Sequence, residues 1–502
     1  MSTSDLALEQ PDAQLQHDSS ITVDKAVSLT LSSDSLLVLD ERSNHKSNRG
    51  CCAPCKSNID SPKTVAISLY NILDAEINPT SLVITYAEHS HKDDVTVTAL
   101  RYKIGDKEKP AVEAWMARLL DLAYGAAERR KRLKVLINPH GGKGNAASLY
   151  QKYAAPIFAA ARCQLDVQAT EYNGHAIKIA EELDIDAYDT VVCCSGDGLP
   201  YEVFNGLGKR PNGREALARV AVALLPCGSG NGLTWNCFGT GSNSIAALGI
   251  VKGLRTPLDL VSVTQKDSRT LSFLSQSFGI VAESDLATEH IRWMGAQRFT
   301  YGFLVRLLRR TVWPCDLAIK VVLDDKQAIK EHYRSYRLKG DEDADSLSDQ
   351  KRIDAARKSP ELPELQFGTV QDELPGDWET VPGETMGNFY AGNMAIMSKD
   401  TNFFPASLPN DGLMDVVTID GNVSRSTSLK MMTEIETGGF FDMPEVKIRK
   451  AMAYRLVPRQ KEGYISIDGE RVPFEAFQCE VHPGLGTVLS KSKRIYEAEG
   501  PR

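Results

Sequence analysis

Asn138-Pro139-His140-Gly141-Gly142-Lys143-Gly144, directly after the apolar run Val135-Leu136-Ile137, is the stretch from which the fold is read. A short buried strand that ends in a glycine-rich turn and gives way to a helix, here over about 147–161, is one βα unit. The unit repeats downstream: strand 164–170 and helix 175–183, strand 190–194 and a helix from about 201, strand 220–225 and helix 242–253. Two of these later strands also end in glycine-rich turns. They are Ser195-Gly196-Asp197-Gly198-Leu199-Pro200 and Pro226-Cys227-Gly228-Ser229-Gly230-Asn231-Gly232. Such alternation specifies an α/β domain, a parallel sheet with helices on both faces. Ligands bind such sheets beyond the carboxyl ends of the strands. Three glycine-rich turns on that edge bring backbone N–H groups and helix N-termini together, a setting for nucleotide phosphates. Neither G-x-x-x-x-G-K-[ST] nor a clean G-x-G-x-x-G is present. It is the three turns in order that carry weight.

Outward from this core the character changes on both sides. Residues 1–20 are Ser-, Asp- and Gln-rich and read as a disordered tail. Residues 21–130 hold apolar runs at 27–31 and 36–39, strand-like segments at 65–77, 81–87 and 95–104, and a helix over about 110–130 with Val112, Trp115, Leu119 and Leu122 on one face. This N-terminal module reads either as pleckstrin-homology-like or as a plain β-rich extension. The α/β domain occupies 131–257. From 258 to 490 strands dominate (258–264, 270–280, 316–323, 386–397, 414–420, 464–467 and 475–482), which predicts an antiparallel domain. Helices are expected at 289–311 and 426–438. Residues 339–383, with the run Gly340-Asp341-Glu342-Asp343-Ala344-Asp345, read as a solvated disordered insert. Residues 491–502 read as a tail.

The chain has 502 residues, 42% hydrophobic and 25% charged, with a formal net charge of -8. That balance argues against a nucleic-acid partner recognised through global charge. No apolar run approaches the roughly 20 residues that span a bilayer, and the first residues lack the pattern of a secretory signal. Most of the ten cysteines sit singly in apolar runs, as reduced thiols do in a cytoplasmic protein. The exception is Cys51-Cys52-Ala53-Pro54-Cys55 in a polar loop beside Arg49 and Lys56.

NPHGGKG (138–144), SGDGLPYEVFNGL (195–207) and LPCGSGNGL (225–233) together resemble the diacylglycerol-kinase catalytic fold, and within it the sphingosine (sphingoid long-chain-base) kinases of fungal type. The resemblance runs over roughly 130–490, through 282–302, the 388–397 region, DGLMDVV (411–417) and SIDGERV (466–472). It implies a nucleotide-binding α/β domain joined to an antiparallel β-sandwich domain that holds lipid, with ATP and Mg2+ as cofactors. The second motif reads SGDGLP rather than GGDGT, which favours sphingosine kinases over diacylglycerol or NAD kinases.

The resemblance implies that Asp197 is the general base for an attacking hydroxyl, a role suited to a carboxylate at the head of a helix. An N-cap aspartate is the plain alternative. Asn138, Gly141, Gly142, Gly144, Thr170, Gly196, Gly198, Glu202, Ser229, Gly230 and Asn231 match nucleotide contacts, as do Arg292, Arg298 and the segment Asp468-Gly469-Glu470. Asp285 matches the carboxylate that holds an amino-alcohol head group; an ammonium ion in a partly dry pocket needs such a partner. Glu289 supports it one turn on. Phe303 and Leu307, in an apolar helical stripe, match the wall of a chain-binding tunnel. No metal ligand set is assigned from sequence. Clustered Cys51, Cys52 and Cys55 beside basic residues suggest S-palmitoylation and peripheral membrane association. The expected activity is ATP-dependent phosphorylation of the primary hydroxyl of sphingosine, dihydrosphingosine or phytosphingosine. A diacylglycerol or ceramide kinase on the same scaffold is the alternative, and a non-catalytic lipid-binding protein a further one.

Overall fold

The computed structural model describes residues 19–41, 63–90, 93–142, 144–288, 291, 301–306, 311–338 and 346–502. Cys51, Cys52, Cys55, Lys143, Glu289, Arg292, Arg298 and Leu307 lie outside the described residues. The chain forms two compact units: Met1–Arg129 with Pro156–Arg162, and Arg130–Ala155 with Cys163–Arg502.

The first unit is β-rich. Strands β1 (Ser20–Val23), β2 (Val27–Leu31), β3 (Ser35–Asp40) and β4 (Lys63–Ser68) pair in order as one sheet. Strands β5 (Ile72–Asn78), β6 (Ser81–Ser90) and β7 (Asp94–Lys103) form a second, and every pairing is antiparallel. The strand expected over 65–77 is two strands, because a single 3-10 turn at Leu69–Asn71 buries Leu69 and moves the chain to the other sheet. Helix α1 (Lys109–Tyr124) follows with Pro110 in its first turn, where a missing N–H costs nothing. It buries Val112, Trp115 and Leu119.

In the second unit, β8 (Arg132–Ile137), β9 (Gln164–Ala169), β10 (Thr190–Ser195) and β11 (Ala221–Pro226) pair in parallel in the order β9-β8-β10-β11. Every residue of β10 and β11 is buried, as strands covered on both faces require. The helices α2 (His175–Glu181), α3 (Gly198–Gly208), α4 (Gly213–Arg219), α5 (Gly232–Phe238) and α6 (Asn243–Lys252) alternate with them. Of these, α4 and α5 are short and carry no strong periodicity of their own.

The remaining strands are β12 (Leu254–Gln265), β13 (Ser268–Ser272), β14 (Ser275–Gly279), β15 (Cys315–Leu323), β16 (Glu379–Val381), β17 (Met386–Gly392), β18 (Ile396–Ser398), β19 (Thr401–Asn402), β20 (Met414–Asp420), β21 (Lys447–Pro458), β22 (Ile465–Ile467), β23 (Glu470–Val472) and β24 (Phe477–Ser490). Among them lie α7 (Ile280–Leu286), α8 (Lys326–Leu338), α9 (Ser346–Lys358) and α10 (Arg425–Thr437). All pairings within this set are antiparallel. Inward side chains from β12, β14, β15, β17, β20, β21, β22 and β24 meet in one core that includes Phe278, Phe389, Tyr454, Leu456 and Phe477. The opposite faces of β17, β20 and β21 carry Tyr390, Val417 and Ile448. There they pack with Ile329 of α8, Met431 of α10, Phe440 and Phe441.

The boundary expected at 257/258 is bridged by backbone. Strand β24 pairs antiparallel with β12 along most of its length, antiparallel with β21, and parallel with β11 through Val222 and Val488. The path β23-β22-β14-β17-β20-β21-β24-β11-β10-β8-β9 is one hydrogen-bonded sheet.

Other expectations are corrected. The strand over 270–280 is β13, a turn and β14, and the chain then becomes α7. Gly279 makes this break at φ 95, a backbone angle open to glycine, and a Cβ there would lie 3.0 Å from the Gly387 carbonyl oxygen. The strand over 386–397 ends at Gly392 and resumes as β18. Residues 346–383 of the expected disordered insert are ordered. Asp349 on α9 holds Arg255 and Arg352, each at 2.8 Å, and Arg352 also reaches the Thr487 hydroxyl at 2.7 Å. Glu480 of β24 accepts the Gln366 and Phe367 amides. The charges that suggested solvation are answered by charges and backbone on the body of the protein. Residues 491–502 also dock: the Tyr496 hydroxyl donates to the Asn393 carbonyl at 2.8 Å, and the Glu497 amide donates to that of Asn236 at 2.7 Å.

Candidate active site

Strands β8, β10 and β11 end in register, with Ile137 opposite Cys194 and Ser195 opposite Pro226, so the three glycine-rich turns emerge side by side. They touch through positions where no side chain fits. A Cβ on Gly142, at φ 59, would lie 2.0 Å from the Cys227 carbonyl oxygen, and one on Gly228 would lie 2.5 Å from the Gly196 Cα. Asn138 accepts the His140 amide at 3.0 Å and reaches the Ser195 hydroxyl at 3.4 Å. Asn231, at φ 59, folds its amide back on Gly228, accepting from its N–H at 2.8 Å and donating to its C=O at 2.9 Å. Its side chain shapes the third turn rather than projecting from it. Ser229 is exposed at the tip, with Gly230 beside it.

Asp197 stands at the N-cap position of α3, yet its side chain makes no cap bond there. It crosses to the third turn instead. One carboxylate oxygen accepts the Gly232 amide at 2.9 Å and the other the Leu233 amide at 3.0 Å. These are the first two residues of α5, so the acid of one turn caps the helix of another. Burial pushes its pKa above the ordinary carboxylate value, with the amides of Leu233, Gly232 and Asn231 opposing. The result is an oriented carboxylate that holds a proton more readily than a free aspartate.

The Asp468-Gly469-Glu470 segment is a two-residue hairpin between β22 and β23, with φ of 53 and 84 at Asp468 and Gly469. Asp468 turns inward. Its carboxylate accepts the Ser272 hydroxyl at 2.6 Å and the amides of Phe273, Leu274 and Ser275 at 2.9, 3.0 and 2.9 Å. Burial still pushes its pKa up to about 6. Both oxygens being engaged, Asp468 fixes the hairpin. The other carboxylate of the pair, Glu470, faces the α3 N-terminus: its Oε1 lies 2.7 Å from where a Cβ on Gly198 would stand. Asp285, on α7, lies on the other side, its Oδ2 3.9 Å from the Cβ position of Gly469. The hairpin thus lies near both the N-terminus of α3 and the C-terminal turn of α7.

Tyr390 of β17 joins this constellation, and sequence reasoning missed it. Its buried hydroxyl is 3.3 Å from the Ser275 hydroxyl. Burial raises its pKa far above the ordinary value, the Ser275 bond opposes, and the charges of Asp285, Asp468 and Asp197 raise it further. No local pattern in 386–392 marks this residue; the β14–β17 register, with Ser277 opposite Tyr390, brings it here.

An apolar pocket opens at the start of α7 and beside α10. Ile280, Val281, Phe303, Trp313, Phe403, Met431, Ile435 and Phe440 line it, with Arg306 and Arg425 among its polar residues. Arg306 pairs with Glu283 of α7 at 3.4 Å. Phe303 is among the lining residues.

Two expected nucleotide contacts lie along the β8–β9 edge. Thr170 is buried at the end of β9, where its amide donates to the Ile137 carbonyl. Glu202 of α3 accepts the Gly174 amide at 3.1 Å and the Ala176 amide at 3.0 Å, so its carboxylate holds the loop that enters α2. Among the described residues no group of three or more His, Cys, Asp and Glu is placed to hold a metal ion by itself.

Comparison with known proteins identifies two known domains and one of unknown function. Residues 132–263 match the diacylglycerol kinase catalytic domain, residues 376–490 the YegS C-terminal NAD kinase beta sandwich-like domain, and residues 19–125 a domain of unknown function, DUF7493. Sphingoid long chain base kinase 4 of Schizosaccharomyces pombe is 36% identical over 74% of this chain and 78% of its own length. Sphingoid long chain base kinase 5 of Saccharomyces cerevisiae is 34% identical over 76% of this chain; the chain spans 62% of that relative. Human sphingosine kinase 1 is 28% identical over 73% of this chain and 92% of its own. A putative diacylglycerol kinase from Bacillus anthracis str. Sterne superposes with a TM-score of 0.45 at 17% identity, over 72% of this chain and 97% of the other. With three glycine-rich turns meeting at one sheet edge, a match to the diacylglycerol kinase catalytic domain and a relative 36% identical over most of both chains, the chain belongs to the sphingoid long-chain-base kinases, lipid kinases of the diacylglycerol-kinase catalytic superfamily.

Proposed function

We propose that the protein transfers the γ-phosphoryl group of ATP to the primary hydroxyl of a sphingoid base, with Asp197 as the base. The carrying observation is the Asp197 carboxylate, held by the Gly232 and Leu233 amides at the edge where the three turns meet. It takes the proton of the attacking hydroxyl as the new O–P bond forms and the bond from the γ-phosphorus to the β,γ-bridging oxygen breaks, releasing ADP. Backbone N–H groups of the turns at Gly142, Gly196, Gly198, Ser229 and Gly230 receive the phosphates, with Thr170 at the nucleoside side; the Gly141 and Gly144 N–H groups donate to the Asn138 and Gly141 carbonyls and hold the first turn in shape. Arg292 and Arg298 add guanidinium forks to developing charge. Asp285 takes the ammonium, Glu289 supports it, and the pocket at Phe303, continued by Leu307, takes the chain. Mg2+ suits a site where phosphates supply most ligands and one carboxylate the rest. Glu470, aimed at the α3 N-terminus, is the residue we assign to it, and the ion's chemistry is neutralising phosphate charge.

The test is transfer of label from ATP to a panel of sphinganine, phytosphingosine, diacylglycerol and ceramide, by wild type and Asp197→Asn. Labelled sphingoid 1-phosphate with wild type, and its loss in the variant, is the expected result. Labelling of diacylglycerol alone would move the assignment to the alternative on this scaffold.

Reaching a membrane-resident base calls for peripheral attachment. We assign it to acylation of Cys51, Cys52 and Cys55, two chains sufficing for stable anchoring, and to the β-rich N-terminal unit as a pleckstrin-like module. Thioester cleavage with hydroxylamine should release the protein from membranes; retention would overturn the assignment.

A further inference from the structure

Resting on that reading, we infer that Tyr390 is a specificity-determining residue whose hydroxyl bonds the secondary hydroxyl next to the amine-bearing carbon of the base. Its ring and its hydroxyl lie in different surroundings. The ring packs on Phe403 and Phe404, with centroids 5.0 Å from each, in the apolar cluster that includes Met431 and Phe440 beside the pocket. The buried hydroxyl has a polar neighbour instead, the Ser275 hydroxyl at 3.3 Å, and Asp468 accepts the Ser275 amide. An aromatic body with a polar tip is the residue type that fits a boundary between dry and wet surroundings. A sphingoid base has the same order of groups: primary hydroxyl, ammonium, secondary hydroxyl, chain. With Asp197 at the first, Asp285 at the second and the pocket at the last, the junction falls to Tyr390. Burial first, and then the charges of Asp285, Asp468 and Asp197, favour its neutral O–H form. A neutral phenol can both accept from and donate to an alcohol, which a carboxylate cannot. A site built to bond a hydroxyl rejects the analogue lacking it, because a buried polar group is then left unpaired.

The test compares kcat/KM for sphinganine and for its 3-deoxy analogue. Wild type should prefer sphinganine. Tyr390→Phe keeps the ring packing and should shrink that preference about tenfold, mainly by losing rate on sphinganine. A preference unchanged in Tyr390→Phe, or equal losses on both bases, overturns the assignment. If Tyr390→Phe proves unstable by thermal melting, Ser275→Ala, which removes the phenol's protein partner, should shift the same ratio in the same direction, and an unshifted ratio overturns it. Absence of wild-type turnover on either base would instead overturn the kinase reading itself.

Discussion

The carboxylate of Asp197 and the backbone amide of Leu233 lie 3.0 Å apart, although they come from different glycine-rich turns. Through this bond and its partner to Gly232, the same residue sets the direction of the candidate base and closes the N-terminus of α5. Loss of the charge therefore acts on chemistry and on local structure together. Asp197→Asn is expected to lower kcat by at least about a hundredfold and to lower the melting temperature by a few degrees, since an amide can answer only one of the two N–H groups. Unaltered turnover in steady-state assays would refute Asp197 as base.

The glycines of the turns should differ sharply in tolerance. Gly142→Ala drives a methyl into the Cys227 carbonyl at a backbone angle that disfavours side chains, and should cost several kcal/mol of stability, on the order of a badly overpacked core site. At Gly198 the methyl meets the Oε1 atom of Glu470, the end of a flexible side chain. Gly198→Ala should therefore fold nearly as well as wild type and weaken the placement of Glu470. Chemical denaturation of both variants separates the two outcomes.

The acid limb of the pH–kcat/KM profile should lie above the ordinary aspartate range, because burial raises the pKa of Asp197 and the base must be ionised to act. Activity rises with pH through that value. A limb centred near or below an unperturbed aspartate would contradict the environment described.

Stability should carry the opposite signature from Asp468. Its pKa rises from 3.8 to about 6 on folding, so the folded protein keeps a proton there that the unfolded chain has lost. The contribution is full below about pH 4 and vanishes as pH rises past about 6. Relative to Asp468→Asn, wild type should lose on the order of 3 kcal/mol between pH 4 and pH 7. His482, pushed down to about 4 by burial and then by Arg269, works the other way: its contribution is full above about pH 6.5 and lost on acidification toward 4. Urea unfolding of each variant against wild type at the two pH values reads both signs.

Met431 and Phe440 line the apolar pocket with Phe303. If the pocket holds the chain, Met431→Trp should shorten it and shift the preference toward sphingoid bases several carbons shorter, with turnover of the short bases retained. A uniform loss across chain lengths would argue against the pocket as the chain site.

The parallel half of the fold was legible because β8, β10 and β11 are buried, or nearly so, along their length and end in glycine-rich turns, while β9, more exposed, fell at the matching place in the alternation. The antiparallel half was less so. Strand β21, with Lys447, Arg449, Lys450 and Arg455, does not look like a core strand; Lys450 is fully buried between Asp411 and Asp415 at 3.2 and 3.4 Å, partners far away in sequence. Helix α8 buries only Ile329 and Tyr333, too few to stand out among its charges. At the site, the motif residues were found where turns are local. What could not be read was the direction of each side chain: Asp468 and Glu202 use their carboxylates on distant or neighbouring amides, and Tyr390 enters only through strand register.

The strand shared by both halves has a mechanical consequence. Because β24 binds β11 on one side and β12 and β21 on the other, the floor under the glycine-rich turns and the antiparallel sheet are stitched by the same backbone. The two cannot swing like jaws on a linker without breaking the hydrogen bonds of that strand. Movement without such loss belongs to the short helices and hairpins mounted on this frame.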